Sequence, residues 1–248
     1  MTKHKESISV IIPAYNERWR IGVQLAELLD FSKRHPGLIT EVVVVDDCST
    51  DRTLERVLMY SERLPITVAQ HTVNQGKWMA IRTGLDIAKN DFVLILDADG
   101  SASVRELERI GMGYLQKYVF PDKLALFGSR FLSESSVDGK EGFRKFISVA
   151  YRYYSRISLR LATGCRAPDD LQCPFKLFPK SELRFPLEEM RWSGDTELAG
   201  SLGCQIRDVP VQFHHVRGGA ISKSAIFSMA WATFMLVFSI RRRLRKLR

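Results

Sequence analysis

Four short apolar runs, alternating with helix-patterned segments, constrain this chain more than any other feature. Ile8 to Ile12, Val42 to Asp46, Ile66 to Ala69 and Phe92 to Leu96 are nearly all apolar, as strands covered on both faces must be. Helical patterns fill the intervals over Glu17 to Arg34, Arg52 to Arg63 and Lys77 to Lys89, and the Ser49 to Asp51 cluster stands where it can cap the second. Such alternation specifies an α/β domain with a mixed, mostly parallel sheet flanked by helices. Ligands of open sheets sit beyond the carboxyl ends of the strands, and there this chain carries Asn16-Glu17, Asp46-Asp47 and Asp97-Ala98-Asp99. Three strands aim at one site.

The second half is less regular. It offers a strand at Leu124 to Gly128, a polar loop from Ser133 to Gly142, a helix from Phe143 to Leu161 and a strand at Gln205 to Val211. Phe143, Phe146, Ile147, Ala150, Tyr154, Ile157 and Leu161 share one side of that helix, while Arg152, Arg156 and Arg160 recur on another. A solvated charged face and a lipid-facing helix both fit this pattern. Further on, Ala225 to Ile240 is apolar apart from Ser228, Thr233 and Ser239, but as helix it spans about 24 Å, short of the ~30 Å hydrocarbon core.

Charge follows that segment. The chain has 37 Lys and Arg against 28 Asp and Glu, a net +9, and six of the eight residues from Arg241 to Arg248 are basic, which leaves +3 elsewhere. An apolar helix with a polybasic end suits a membrane surface, lying in the interface; a buried core helix with a solvated tail is the plainer alternative. No nucleic-acid partner is expected, because no basic stripe with interleaved aromatics marks the domain. The polar opening Met1 to Glu6 and the early stop at Pro13 do not read as a signal peptide, which puts the chain on the cytosolic side. Cys48, Cys165, Cys173 and Cys204 form no CxxC pair, which suits free thiols in a reducing compartment and argues against structural zinc.

The string most directly tied to chemistry is VLILDADGS, Val93 to Ser101, an apolar strand delivering Asp97 and Asp99 into a glycine turn. Two carboxylates so spaced can share Mg²⁺ or Mn²⁺ with substrate phosphates, and a solvated turn is the alternative. A haloacid-dehalogenase-type phosphatase also uses DxDG, but that motif opens its fold, and here three strands precede it.

SVIIPAYNE at 9 to 17, VVVVDDCSTDRT at 42 to 53, NQGK at 74 to 77 and DADGS at 97 to 101, in this order, resemble glycosyltransferase family 2 enzymes of the Rossmann-like GT-A fold. GSRF at 128 to 131, DLQCPFKLF at 170 to 178 and RWSGDTEL at 191 to 198 resemble the dolichyl-phosphate β-glucosyltransferases within it, relatives of the dolichyl- and polyprenyl-phosphate mannose synthases. Two departures stand out: Trp78 replaces a second glycine after the lysine, and Pro174 replaces a glycine before Phe175.

The resemblance implies a GT-A domain over 1–220, with a nucleotide half at 1–100 and an acceptor half at 101–220, and a membrane-associating helix at 221–248. It implies a nucleotide-sugar donor, with UDP-glucose expected, and transfer to dolichyl or polyprenyl phosphate at the cytosolic membrane face. Asp99 is then the principal metal ligand and Asp97 its companion, with Ser101 a weaker candidate. Pro13, Ala14, Tyr15, Glu17 and one of Asp46 and Asp47, here Asp47, form the base and ribose pocket, and Lys77 brings a cation to the donor. Arg130 and Arg144, with Ser148 one turn on, bind the acceptor phosphate, although Arg144 could equally be one solvated charge among several on its helix. Asp170 lies near the metal or sugar, while Asp195 and Glu197 approach the sugar hydroxyls or the acceptor; Glu197 could instead pair with a core arginine, and Trp192 could stack on the sugar or pack. A lipid phosphate is already an anionic nucleophile, so this acceptor needs cations rather than a base. His214 and His215, adjacent in a strand, face opposite sides and do not suit one metal ion. A GDP-mannose enzyme, a same-fold transferase with a soluble acceptor and a non-catalytic nucleotide-sugar-binding module are the alternatives.

Overall fold

The apolar runs become adjacent strands because each buries side chains on both faces. The computed structural model describes residues 7–138, 142–188, 193–203, 205–214 and 223–247; at 138, 142–148 and 223–227 it describes the backbone alone. The first half runs β1 (Ile8–Ala14), α1 (Ile21–Arg34), β2 (Ile39–Asp46), α2 (Thr53–Leu58), β3 (Ile66–Gln70), α3 (Lys77–Ile87) and β4 (Phe92–Ile95). Short helices α4 (Glu106–Ile110) and α5 (Met112–Tyr114) lead to β5 (Ala125–Ser129), β6 (Ser136–Asp138) and α6 (Gly142–Thr163). The chain ends through β7 (Lys176–Pro179), α7 (Gly194–Leu202), β8 (Ile206–Pro210), β9 (Gln212–His214) and α8 (Lys223–Lys246).

Seven strands form one sheet in the order β3-β2-β1-β4-β7-β5-β8. All neighbours are parallel except β7, which runs antiparallel to both β4 and β5. Alternation along β1 sends Val10 and Ile12 into one apolar layer with Leu25, Leu28 and Phe31, and Ile11 into the other with Ile81 and Phe178. This is the mixed, mostly parallel sheet expected, with helices on both faces.

Four details depart from the sequence reading. The polar loop after Ser133 contains β6, which pairs in parallel with β9. β7 was not foreseen as a strand, because its Lys176 interrupts the apolar pattern. On α6 the buried residues are Ser155, Ser158, Leu159 and Ala162, whereas Ile157 and Leu161 face outward with Tyr153. Arg152 and Arg156 turn inward instead, since Asp169 accepts a hydrogen bond from Arg152 and lies 3.1 Å from Arg156. Finally, Cys48 and Cys173 are free thiols as expected, but Cys165 is disulfide-bonded.

α8 packs one face onto α6 and α7 through Met229, Thr233, Leu236, Val237 and Ile240. Tyr151 Oη meets Thr233 Oγ1 at 2.9 Å, and Tyr154 Oη donates to the Ala230 carbonyl at 2.7 Å. Arg241 Nε donates to the Leu161 carbonyl at 2.8 Å, so the two helices run side by side in the same direction. Trp231, Phe234, Met235 and Phe238 remain exposed. Among the described residues no helix is long and apolar enough to cross a membrane.

Candidate active site

The carboxyl ends of β1, β2 and β4 lie level because β1 pairs in register with both neighbours, Ala14 opposite Asp46 and Ile11 opposite Ile95. The loops beyond them enclose a cleft of about 410 Å³. Pro13, Ala14, Tyr15, Glu17, Asp47, Lys77, Asp97 and Asp99, the eight residues read from the sequence as donor and metal contacts, all line it. Tyr15 presents its ring to solvent at the rim.

Asp97 and Asp99 sit at the cleft floor where the chain leaves β4. Gly100 takes φ +72, a left-handed turn open to glycine, and the Ser101 amide donates to Asp99 Oδ1 at 2.9 Å. Lys77 opens α3 and places Nζ 2.5 Å from Asp97 Oδ1. Burial pulls the Lys77 amine down, but Asp97, Asp195 and Asp99 together lift it above the usual lysine range, so it stays charged. Glu17 is raised as well, which for a carboxylate favours the neutral form. Burial raises its carboxyl, Asp99 and Asp97 push it further, and Arg20, 2.6 Å away, offsets only part.

Asp47 faces the cleft, yet its carboxylate is already committed. It accepts from the Gln75 amide at 2.9 Å and the Gly76 amide at 2.7 Å, and meets His71 Nδ1 at 2.7 Å. It therefore shapes the loop that presents Lys77. Asp46 accepts from Gln70 Nε2 at 3.0 Å and from the Ser49 amide at 3.3 Å.

The two carboxylates suit a hard divalent cation. Their oxygens already face a positive charge at Lys77, and among the described residues no three His, Cys, Asp or Glu side chains converge as a metal group. Asp97 and Asp99, one residue apart at the cleft floor, offer the oxygen chemistry that such an ion takes alongside substrate phosphates and water.

A second cluster lies where β5 and β7 meet. Arg130, just past β5, donates Nε to Asp170 Oδ2 at 2.6 Å and Nη2 to Asp170 Oδ1 at 2.9 Å, a bidentate pair. Burial alone would raise the Asp170 carboxyl, but Arg130 holds it below the usual carboxylate range, while Asp170 raises Arg130 further. Cys173 beside them is buried, and burial with the Asp170 charge pushes its thiol up to about 12. Asp169, adjacent, accepts from Ser129 Oγ at 2.8 Å.

Between the clusters stands a contact that sequence reasoning missed. Lys176, only 2% exposed within β7, places Nζ 2.7 Å from Asp195 Oδ1 and donates to the Cys173 carbonyl. Trp78 lies buried against Gly194, where an added Cβ would sit 2.1 Å from the indole, and Trp78 Nε1 lies 3.4 Å from Asp195 Oδ2. A lysine inside an otherwise apolar strand was the available signal, since such a charge must find a partner. Lys77 and Asp97, Lys176 and Asp195, and Arg130 and Asp170 thus form three ion pairs at one end of the sheet.

Glu197 does not reach that cluster as a free carboxylate. It is fully buried, accepts from the Glu188 amide at 2.9 Å and pairs with Arg243 of α8 at 2.7 Å, the core arginine foreseen as its alternative. Ser101 is buried and its carbonyl accepts from the His214 amide at 3.0 Å. Arg144 and Ser148 stand on α6, but their side chains lie outside the described residues, as do Trp192 and His215 altogether.

Comparison with known proteins decides the family. The glycosyl transferase family 2 model matches residues 9–131, which span β1 to β5 and so the whole cleft. A dolichyl-phosphate beta-glucosyltransferase of Trichomonas vaginalis is 30% identical over 234 residues, covering 90% of this chain and 70% of that protein. The chain belongs to glycosyl transferase family 2. This family 2 transferase is also 29% identical to a human dolichyl-phosphate beta-glucosyltransferase over 231 residues, 87% of this chain and 70% of that one. Among solved structures, glucosyl-3-phosphoglycerate synthase from Mycobacterium tuberculosis, in complex with Mn²⁺ and UDP-glucose, shares the fold. Its TM-score is 0.67 at 17% identity, covering 95% of this chain and 79% of that one. S. aureus TarS in complex with UDP-GlcNAc matches with TM-score 0.59 at 20% identity, over 95% of this chain and 70% of that one.

Proposed function

We propose that this transferase moves glucose from UDP-glucose to dolichyl or another polyprenyl phosphate, with inversion at the sugar carbon and with Mg²⁺ or Mn²⁺, at the cytosolic face of a membrane. One observation carries the reading: the Asp97-Asp99 cleft and the Arg130-Asp170 pair are linked at one end of the sheet through Lys77, Asp195 and Lys176. The names of its relatives agree with the sugar and the acceptor.

The lipid phosphate is the nucleophile. One of its anionic oxygens forms a bond to the anomeric carbon as the bond from that carbon to the donor's β-phosphate oxygen breaks, and UDP leaves with the electron pair. No proton is removed from the acceptor, so no base is required. Asp97 and Asp99 would hold the divalent cation, which supplies neutralisation of charge growing on the leaving diphosphate. Lys77 adds a fixed positive charge beside them, and Glu17 and Tyr15 border the base and ribose. Arg130 has committed Nε and Nη2 to Asp170, so its Nη1 edge is the part left for the acceptor anion. Asp195, held by Lys176 and Trp78, is oriented to accept hydrogen bonds from sugar hydroxyls. The exposed apolar residues of α6 and α8 suit a membrane surface, where a polyprenyl chain is dissolved.

A panel of labelled UDP- and GDP-sugars, incubated with the full chain, polyprenyl phosphate and Mn²⁺, then extracted into organic solvent, tests this. Label from UDP-glucose should enter the organic phase. Label from GDP-mannose instead, or transfer only to a water-soluble acceptor, overturns the assignment.

A further inference from the structure

One surface of the molecule plays no part in the chemistry above. At the carboxyl-terminal end of α6, Tyr153, Arg156, Ile157, Arg160, Gly164, Arg166 and Ala167 line a groove of about 460 Å³. Three of the seven are arginines and none is a carboxylate. The nearby counter-charges are spent or weak. Asp169 is shared with Arg152 and with Ser129 as well as Arg156. Asp208, 4.0 Å from Arg166, has already accepted the Asp169 amide, and burial with the Asp169 charge raises its carboxyl above the usual range. Arg166 is 85% exposed and Arg160 is also exposed. Arg241 of α8 is tied to the same end of α6 through the Leu161 carbonyl, which adds a fourth guanidinium beside the groove.

Beside this positive groove runs apolar surface. Tyr153, Ile157 and Leu161 are exposed at helical spacing on α6, and Trp231, Phe234, Met235 and Phe238 on the adjoining α8. A phosphate fits guanidinium groups whose carboxylate neighbours are shared, as Asp169 is at Arg156, or distant, as Asp208 is at 4.0 Å from Arg166, and hydrocarbon fits the neighbouring stripe. A membrane lipid with an anionic head group supplies both at once; a free phosphate or an acidic peptide supplies only the charge.

We infer that the α6 groove binds the phosphate of an anionic phospholipid, separately from the acceptor, and so sets which membranes the transferase docks on. This rests on the membrane reading under Proposed function. Arg160 and Arg166 provide the selectivity for anionic lipid, and the apolar faces of α6 and α8 provide contact with any bilayer.

Vesicle flotation of the full chain tests it, with phosphatidylcholine alone and with phosphatidylcholine mixed with phosphatidylglycerol. The wild type should prefer the mixed vesicles, and the double variant Arg160→Ala, Arg166→Ala should lose about thirtyfold of that preference, the weight of two basic side chains at an anionic surface. Its binding to phosphatidylcholine alone and its unfolding midpoint should match the wild type. Inorganic phosphate or polyglutamate, at charge equal to the lipid, should leave mixed-vesicle binding unchanged. Displacement by either reassigns the groove to a soluble anion or an acidic partner and overturns the inference. Wild-type flotation that ignores phosphatidylglycerol, or a double variant that keeps the preference, overturns it while leaving the membrane reading intact; failure to float with either vesicle ends both. Transfer to detergent-dispersed polyprenyl phosphate, measured in parallel, reports on the proposed reaction independently.

Discussion

Lys176 Nζ lies 2.7 Å from Asp195 Oδ1, with the lysine closed inside the sheet and the aspartate about one-fifth exposed. The pair gives Asp195 a fixed direction. Lys176→Met fills the same space without charge. We expect transfer to fall at least tenfold and stability by about 1–3 kcal/mol, from one hydrogen-bonded charge left without its partner. Steady-state kinetics and denaturant midpoints measure both, and unchanged turnover would remove Asp195 from the site.

The other partner of Asp195 gives a packing test. Because a Cβ at Gly194 would overlap the Trp78 indole, Gly194→Ala should cost about 1–3 kcal/mol. Adding Trp78→Leu should recover part of that loss, a coupling that a double-mutant cycle reads directly. Additive losses would mean that the two residues do not meet.

Asp99→Ala addresses the chemistry. Its carboxylate stands at the cleft floor, where, among the described residues, its Oδ1 accepts from the Ser101 amide. Transfer should drop about 10²–10³-fold, while the unfolding midpoint moves within about 0.5 kcal/mol. Near wild-type turnover would disconnect this carboxylate from catalysis.

pH linkage singles out Asp170. Burial raises its carboxyl and Arg130 lowers it more, so the folded value lies below the unfolded one. Its contribution is then present above about pH 4 and is lost as pH falls toward the folded value. Asp170→Asn should destabilise by about 3–5 kcal/mol at pH 7, since it leaves Arg130 buried without its counter-ion. The difference from wild type should narrow at pH 3. Equal differences at both pH values would contradict the pairing.

Arg243→Met should cost a similar amount, about 3–5 kcal/mol, because Glu197 has no access to water and would lose its guanidinium partner. Arg243→Met with Glu197→Gln should restore most of it. Thermal unfolding of the single and double variants checks this.

Much of the cleft was readable in the chain, and the reason is geometric. Parallel strands end at the same level, so polar clusters after Ile12, Val45 and Leu96 had to converge, and their register carries them there. What stayed hidden depended on contacts distant in sequence. Nothing near Asp47 announces that His71, Gln75 and Gly76 consume its carboxylate. The outward face of α6 stayed open in the sequence because periodicity separates apolar from charged sides without saying which one the protein covers. Asp169 separates the two readings by drawing Arg152 and Arg156 inward. Lys176 was read as part of a motif string rather than as a buried charge needing a partner.

The tie between Arg243 and Glu197 makes α8 more than an appendage. Glu197 stands two residues along α7 from Asp195, so the helix with the exposed aromatic stripe acts as a strut braced against the turn that carries Asp195. A load that tilts that strut reaches Asp195 within a single turn of helix.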